Sequence, residues 1–332
     1  MFNADINIFE VLEKAPGPIP GTRAAHLYPS GASVRVKNQA GAEKVYGGCL
    51  REQYLKYKGE APSDIYKDNT SLGVWLAGDQ IQDVVEERFK RAGIFVQSEL
   101  HVFLPEYNVS GRIDTIIHNR KEGDDFRLMG VEIKSKSGYN AQTSYIRANK
   151  SAVPTEFRPS DEHILQSMVY MHACNTLPTL QEYNIKKWLV LYVLRDSYDF
   201  NYFEIELTPE SYSRGYGYPV IYSYLQPEGF VYTRFKMQDV LDRWKELNAK
   251  IAINSLPERD FTNVYSNATL EQMSANGDLS ATNQKFVAAG KHANVTREVH
   301  GNKEPMGDFA CAYCDYRSKC WNLGKYVDGY FT

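Results

Sequence analysis

Along this chain, stretches whose apolar positions recur every three or four residues trade places with stretches where they recur every second residue. Ile6 to Ala15 has the helical spacing, and the Pro-Gly-Pro-Ile-Pro-Gly run at 16–21 breaks it. Leu72 to Ala92 is a longer amphipathic helix, with Val74, Leu76, Ile81, Val84, Val85 and Phe89 apolar and Gly93 placed to end it. Strand-like stretches follow at Glu99 to Leu104, at Gly111 to Ile117 and, after the turn residues Gly123-Asp124-Asp125, at Phe126 to Lys134. These three predict a meander with a hairpin. Asp161 to Ala173 reads as a helix through Ile164, Leu165, Met168, Val169 and Met171; Lys187 to Leu194 reads as a buried strand with Asn201 to Leu207 as its partner. Met237 to Ile253 is again an amphipathic helix, built on Val240, Leu241, Trp244, Leu247 and Ile251. Asn263 to Asn294 carries few large apolar residues and predicts a mobile surface insertion, helical around Thr269 to Ser274 and Ala281 to Ala289. No fixed-period repeat is present. A helix, three strands, a second helix and a strand pair predict an α+β fold around a mixed sheet.

Composition narrows the class. With 332 residues, 43% hydrophobic and 24% charged, the chain is long enough for a full core and excludes collagen-like, disordered and coiled-coil classes. Trp188 to Leu194, the longest clean apolar run, is far short of a bilayer span, and the opening Met-Phe-Asn-Ala-Asp-Ile lacks the pattern of a secretory leader, so a soluble, cytoplasmic protein is expected. The net charge of −3 gives no global pull toward nucleic acid, but two stretches are basic. Ser33 to Lys58 holds Arg35, Lys37, Lys44, Arg51, Lys56 and Lys58 against Glu43 and Glu52, with Tyr46, Tyr54 and Tyr57 among them; it reads equally as a solvated helix face or a phosphate-contacting surface. Val131 to Lys150 holds Lys134, Lys136, Arg147 and Lys150 against Glu132, with Tyr139 and Tyr145 interleaved, which suits a single-stranded DNA path.

Gly111-Arg112-Ile113-Asp114 and Val131-Glu132-Ile133-Lys134 carry the chemistry. Residues two apart on a strand share a face, so Glu132 and Lys134 project together, and the hairpin brings Asp114 beside them. Two carboxylates suit a hard divalent cation, and an adjacent ammonium can stabilise charge developing on a phosphate. Alone, the trio also describes a solvent-side ion pair. On the following helix His163, Gln166 and Tyr170 form one polar stripe able to hydrogen-bond a phosphate or a base.

Taken in order, Gly-Arg-Ile-Asp114, Val-Glu132-Ile-Lys134 and His163-Ile-Leu-Gln166-Ser-Met-Val-Tyr170 resemble the PD-(D/E)xK nuclease superfamily, in its RecB-like exonuclease branch. The resemblance covers about residues 45 to 210 and 305 to 325. It implies a restriction-endonuclease-like core, Mg²⁺ or Mn²⁺ on Asp114, Glu132 and the Ile133 carbonyl, Lys134 as the catalytic lysine, and Gln166 and Tyr170 as the accessory motif. That branch usually carries Gly-x-x-x-His on the preceding helix, whereas here Gly78 is followed by Gln82, with Asp79, Asp83 and Glu86 on the same helix.

The cysteines form a separate signal. Cys311, Cys314 and Cys320 fall within ten residues and need a fourth ligand; Cys49 is the better candidate, because Cys174 sits among apolar residues as a buried thiol would. One distant N-terminal cysteine joined to three C-terminal ones resembles the iron–sulfur nucleases of the AddB type and of CRISPR adaptation. That implies a 4Fe–4S cluster in a C-terminal subdomain clamping the ends of the chain, with zinc as the alternative. The expected organisation is an N-terminal segment at 1–60, a nuclease core at 61–235 and a cluster region at 236–332. The implied function is a metal-dependent DNA exonuclease acting on single strands or ends in recombination, repair or CRISPR adaptation, alongside a protein partner and in a prokaryotic or viral setting. The alternative is a DNA-end binding module with weak or absent cleavage.

Overall fold

The computed structural model describes residues 26–37, 43–64, 69–120, 127–147, 157–208, 217–223, 226–299, 301–323, 326–327 and 330–331, so the helix expected at Ile6 to Ala15 lies outside the described residues. In chain order the elements begin with strands β1 (Ser33–Lys37) and β2 (Glu43–Gly47), helices α1 (Leu50–Tyr57) and α2 (Asn69–Arg91), and strands β3 (Phe95–Leu104), β4 (Val109–His118) and β5 (Leu128–Lys136). Helix α3 (Asp161–Thr176), strands β6 (Lys187–Leu194), β7 (Phe200–Leu207), β8 (Pro219–Ser223) and β9 (Gln226–Val231), and helix α4 (Met237–Ala252) follow. After them come α5 (Asn267–Ala275), α6 (Ala281–Ala288), β10 (Thr296–Val299), β11 (Asn302–Pro305), α7 (Phe309–Ala312) and α8 (Arg317–Trp321). The chain forms two compact units, one of Ala25–Gly48 with Asn69–Leu256, the other holding Cys49–Asp68 and the chain from Pro257 onward. Helix α4 thus belongs with the sheet, not with the C-terminal cysteines.

The first unit is built on a seven-stranded sheet in the order β3-β4-β5-β6-β7-β8-β9. The sheet is mixed: β5 and β6 run parallel, and every other neighbouring pair is antiparallel. A parallel pair needs a crossover, and α3 lies in it. β6, with Trp188, Val190 and Leu191–Leu194 all buried, is the fully enclosed strand that its unbroken apolar run predicts. Val131, Ile117, Met129, Leu191 and Val193 on one face pack with Ile81 and Val85 of α2. That helix ends where Gly93 adopts φ +65°, with the Ile94 N–H reaching the Phe89 carbonyl at 3.0 Å.

On the other sheet face lies α3, and it is buried from His163 to Cys174 without interruption. Its polar stripe therefore does not face solvent, because α4 and the β1–β2 hairpin pack against its outer side. The stretch from Ser33 to Lys58 is accordingly no single helix face; it is a hairpin followed by α1. Its charges have partners: Lys37 pairs with Glu43 at 3.3 Å, Lys56 with Glu52 at 2.5 Å, and Lys44 lies over the Tyr46 ring.

In the second unit, α5 and α6 are capped by Ser266 and Ser280, whose hydroxyls accept the Thr269 and Asn283 N–H groups. Leu270, Leu279, Val287 and Val295 form their small core, so the insertion at 263–294 is ordered around apolar residues of its own. Among the described residues no helix is long and apolar enough to cross a membrane.

Gly130 shows how tightly β5 and β6 are joined: a Cβ there would stand 2.2 Å from the Trp188 ring, which is fully buried and stacks on Tyr170 with centroids 5.5 Å apart. Gly130→Ala is expected to destabilise the protein by about 2–3 kcal/mol through overpacking, read as a lowered urea midpoint; an unchanged midpoint would contradict this packing.

Candidate functional site

The expected trio is assembled at the middle of the sheet. Thr115 pairs with Val131, which sets Asp114 opposite Glu132 on the face covered by α3. Asp114 Oδ2 accepts the Ile133 N–H at 2.9 Å, and Glu132 Oε1 lies 2.6 Å from Lys134 Nζ. Glu132 is 1% exposed, and its second oxygen, Oε2, has no hydrogen-bond partner. Such an atom costs free energy in an apolar surround unless a cation or donor meets it.

Helix α3 supplies the rest. Gln166 hydrogen-bonds Glu132 and accepts from Lys134 Nζ at 3.4 Å. Tyr170, stacked on Trp188, donates its hydroxyl to the Arg112 carbonyl at 2.7 Å and so holds β4 two residues before Asp114. His163 is one turn from Gln166, but its Nδ1 is 2.7 Å from the Tyr192 hydroxyl. Burial, with Lys134 and Lys136 nearby, keeps its proton affinity well below the usual histidine range, so it is a neutral hydrogen-bonding group.

Gln82 and Glu86 occupy a different place. The Thr115 hydroxyl, on the sheet face opposite Asp114, donates to Glu86 Oε1 at 3.2 Å, and Gln82 Nε2 donates to the same oxygen at 3.0 Å. Gln82 Nε2 also reaches Glu99 Oε1 at 3.4 Å on edge strand β3. Asp79 and Asp83 are exposed on α2. Glu99 carries no sequence signature: it sits inside a strand with φ +53°, a conformation costing a residue with a Cβ about 1–2 kcal/mol. Its Oε2 pairs with Arg112 Nη1 at 2.8 Å.

The basic residues after Glu132 are partly engaged: Lys136 lies over Tyr145, itself stacked on Tyr192 at 4.3 Å, and Arg147 pairs with Asp199 at 2.9 Å. Tyr139 is 76% exposed, and Lys150 lies outside the described residues.

In the second unit Cys49, Cys311, Cys314 and Cys320 line one cavity with Arg51, Arg259 and Trp321, while Cys174 is a fully buried thiol on α3. Donors surround the sulfurs. Arg51 Nη1 is 3.7 Å from Cys320 Sγ, the Tyr316 N–H is 3.4 Å from Cys314 Sγ, Trp321 bonds Cys311, and the backbone at Arg51 and Glu52 bonds Cys49. Burial, then neighbouring acids and thiols, pushes Cys49 to about 11, Cys311 to about 12 and Cys314 up as well. Among the described residues no three His, Cys, Asp or Glu side chains are already gathered around a single ion's position.

The cysteine segment is placed by bonds that avoid sulfur. Buried Arg317 pairs with Glu304 and donates to Asn263 Oδ1 at 2.6 Å, and fully buried Asp64 accepts the Ser318 N–H at 2.7 Å. On the α1 side, the Leu50 N–H donates to Asp260 Oδ2 at 2.8 Å and Arg51 Nε to the Pro257 carbonyl at 2.7 Å.

Burial, then the Glu132 carboxylate, raises Asp114 to about 7; burial also raises Glu132 against the pull of Lys134, while Lys134 is raised because its ion pair with Glu132 outweighs burial. The folded chain thus binds the Asp114 proton more tightly than the unfolded chain, whose aspartate titrates near about 3.9. This contribution to stability is complete below that value and is lost as pH rises through about 7. In EDTA, Asp114→Asn is therefore expected to melt several degrees above the parent at pH 8, with the gain vanishing toward pH 4; equal melting at both pH values would refute the buried-carboxylate geometry.

Compared with known proteins, the chain matches no family model and no curated protein sequence.

Proposed function

We propose that the chain is a divalent-cation-dependent DNA exonuclease acting on single strands or strand ends, with its chemistry at Asp114, Glu132 and Lys134. One observation carries this reading: the buried Glu132 carboxylate has one oxygen on Lys134 and the other without a partner, directly across from Asp114. The donor set fits Mg²⁺ or Mn²⁺, which take carboxylate and carbonyl oxygens, so Asp114, Glu132 and the Ile133 carbonyl are the residues to hold it. When bound, such a cation acidifies water and neutralises charge on a phosphodiester.

The chain's own groups supply position and charge. Lys134, 24% exposed at its side chain, presents an ammonium from the rim of the buried carboxylates toward an incoming phosphate. Gln166 fixes that ammonium and Glu132 together, and Tyr170 fixes the strand that bears Asp114. Exposed Tyr139 and the Lys136–Tyr145 pair offer stacking and charge for unpaired nucleotides of the kind generated in recombination, repair or CRISPR adaptation.

The four cysteines fit a 4Fe–4S cluster in a structural role, with zinc as the alternative: their sulfurs line one cavity, N–H donors reach Cys314 and Cys320, and a bound metal would supply the positive charge needed to draw off the protons that burial holds on these thiols.

Two outcomes follow. Glu132→Gln and Lys134→Met are each expected to lower Mg²⁺- or Mn²⁺-dependent degradation of end-labelled DNA by about 10²–10³-fold or more while retaining DNA affinity. Retained cleavage in both variants would sink the assignment, and intact binding by a parent with no cleavage at all would favour the end-binding module. Anaerobically purified protein is expected to contain iron and sulfide and to show brown visible absorbance, lost in Cys314→Ser with helix content kept; stoichiometric zinc without iron would replace the cluster by a zinc site.

A further inference from the structure

The sheet unit has a second cavity, beside the first turn of α3, with a volume of about 760 Å³, which is room for a ligand of nucleotide size. Two arginines stand in its wall. Arg158 and Arg234 are both held on the buried Tyr232 ring, their guanidinium carbons 4.7 and 5.6 Å from its centroid, and the Tyr46 ring lies 5.1 Å from Arg234. Arg158 also has an acid: it pairs with Asp161 Oδ1 at 2.6 Å, and the Tyr232 hydroxyl donates to the same oxygen at 2.9 Å. Arg234 is exposed and, among the described residues, has aromatic rings but no acid beside it. Rings orient a guanidinium without cancelling its charge, so its N–H groups stay available to an oxyanion. Tyr145 and Phe230 add half-buried aromatic surface to the same wall. Asp161 balances only one of the two arginines, and the excess positive charge beside aromatic surface suits an unpaired nucleotide, anionic at its phosphate and flat at its base.

The cavity adjoins the carboxylates through Tyr192. The Ser160 N–H donates to its hydroxyl at 3.1 Å, Tyr145 stacks on its ring at 4.3 Å, and His163 bonds the same hydroxyl at 2.7 Å. Six residues separate Ser160 from Gln166, about 9 Å along α3. Lys136, over Tyr145, shares a strand face with Lys134 and so stands between the two places. We propose that this cavity is a subsite for one unpaired nucleotide of the DNA strand that reaches Lys134: Arg234, with Arg158 beside it, takes the phosphate, and Tyr145 and Phe230 receive the base. The inference rests on the reading that single-stranded DNA is the substrate. A base can enter only when it is unpaired, so the subsite favours single strands over duplex.

The test is binding of a short fluorescent single-stranded DNA to the full chain in EDTA, read by anisotropy over a series of salt concentrations. The proteins are the parent, Arg234→Gln, Arg234→Lys and, as a control for net charge, Arg91→Gln at the exposed end of α2. Arg234→Gln is expected to weaken binding about three- to tenfold and to lower the slope of log affinity against log salt by about 0.7, the share of one phosphate contact on a single strand. Arg234→Lys is expected to keep the slope, and Arg91→Gln to change neither quantity. Parental affinity and slope in Arg234→Gln, or an equal loss in Arg91→Gln, would overturn the subsite and leave the nuclease reading to the cleavage assay. An equal loss on a blunt duplex of the same sequence would make Arg234 a general phosphate contact and also overturn it. If the parent binds no single-stranded DNA, both readings fall; if Arg234→Gln shows the expected loss but the parent cleaves no DNA, the subsite holds and the nuclease reading alone falls.

Discussion

The sheet unit is organised around the burial of one carboxylate. Removing Glu132 from water costs several kcal/mol unless opposite charge and hydrogen bonds replace the lost hydration. The replacement comes from the shortest route a strand offers, since Lys134 is two residues on and shares the face. That ion pair needs a cover to exclude water, and the parallel β5–β6 crossover lays α3 over this face with Gln166 aimed at both charges. Yet the compensation stops one oxygen short. Glu132 Oε2 stays buried without the contact that Oε1 has in Lys134, and it is on this atom that the proposed cation site turns.

Packing and polar geometry are joined through Trp188. It occupies the slot left by Gly130, and its ring carries Tyr170. Tyr170 can then reach the Arg112 carbonyl, which fixes β4 where Asp114 meets the Ile133 N–H. The polar contacts of the site therefore inherit their precision from an apolar stack beneath them. On the opposite face α2 closes an apolar layer and keeps Glu86 bonded to Thr115, so the two acidic clusters are separated by the sheet itself.

Periodicity made the strands β3 to β7 and the helices α2, α3 and α4 legible, because each spans enough residues for one pattern to win. β8 and β9 were not: they are five and six residues long, one opens on Pro219, and Gly229 at φ +76° interrupts the other. Charge counting over 33–58 included Glu43 and Glu52 but could not show that they stand in ion pairs with Lys37 and Lys56, which is a matter of strand register and helix spacing. The spacing of Gln166 and Tyr170 placed them on one stripe, but their burial depends on α4 and the β1–β2 hairpin, contacts that no local window contains. Glu99 was invisible for a similar reason. Its position opposite Asp114 is a matter of register, and its backbone conformation belongs to residues for which sequence gives no warning.

The cysteine unit solves the placement problem in the opposite way from the sheet. Cys49 and Cys320 are 271 positions apart in sequence, yet both line one cavity because charged and polar groups beside the thiols carry the connection. Arg317 and Ser318, between Cys314 and Cys320, are tied to Glu304, Asn263 and Asp64, and Arg51 beside Cys49 is tied to Pro257. Buried ion pairs of this kind are specific more than stabilising, since desolvation offsets much of their attraction. Here specificity is what four thiols so far apart in sequence require in order to share one cavity. The scaffold sets where the thiols stand without using sulfur, so their placement does not depend on any group they hold, and the proposed cluster would have to draw off the protons that burial keeps on them.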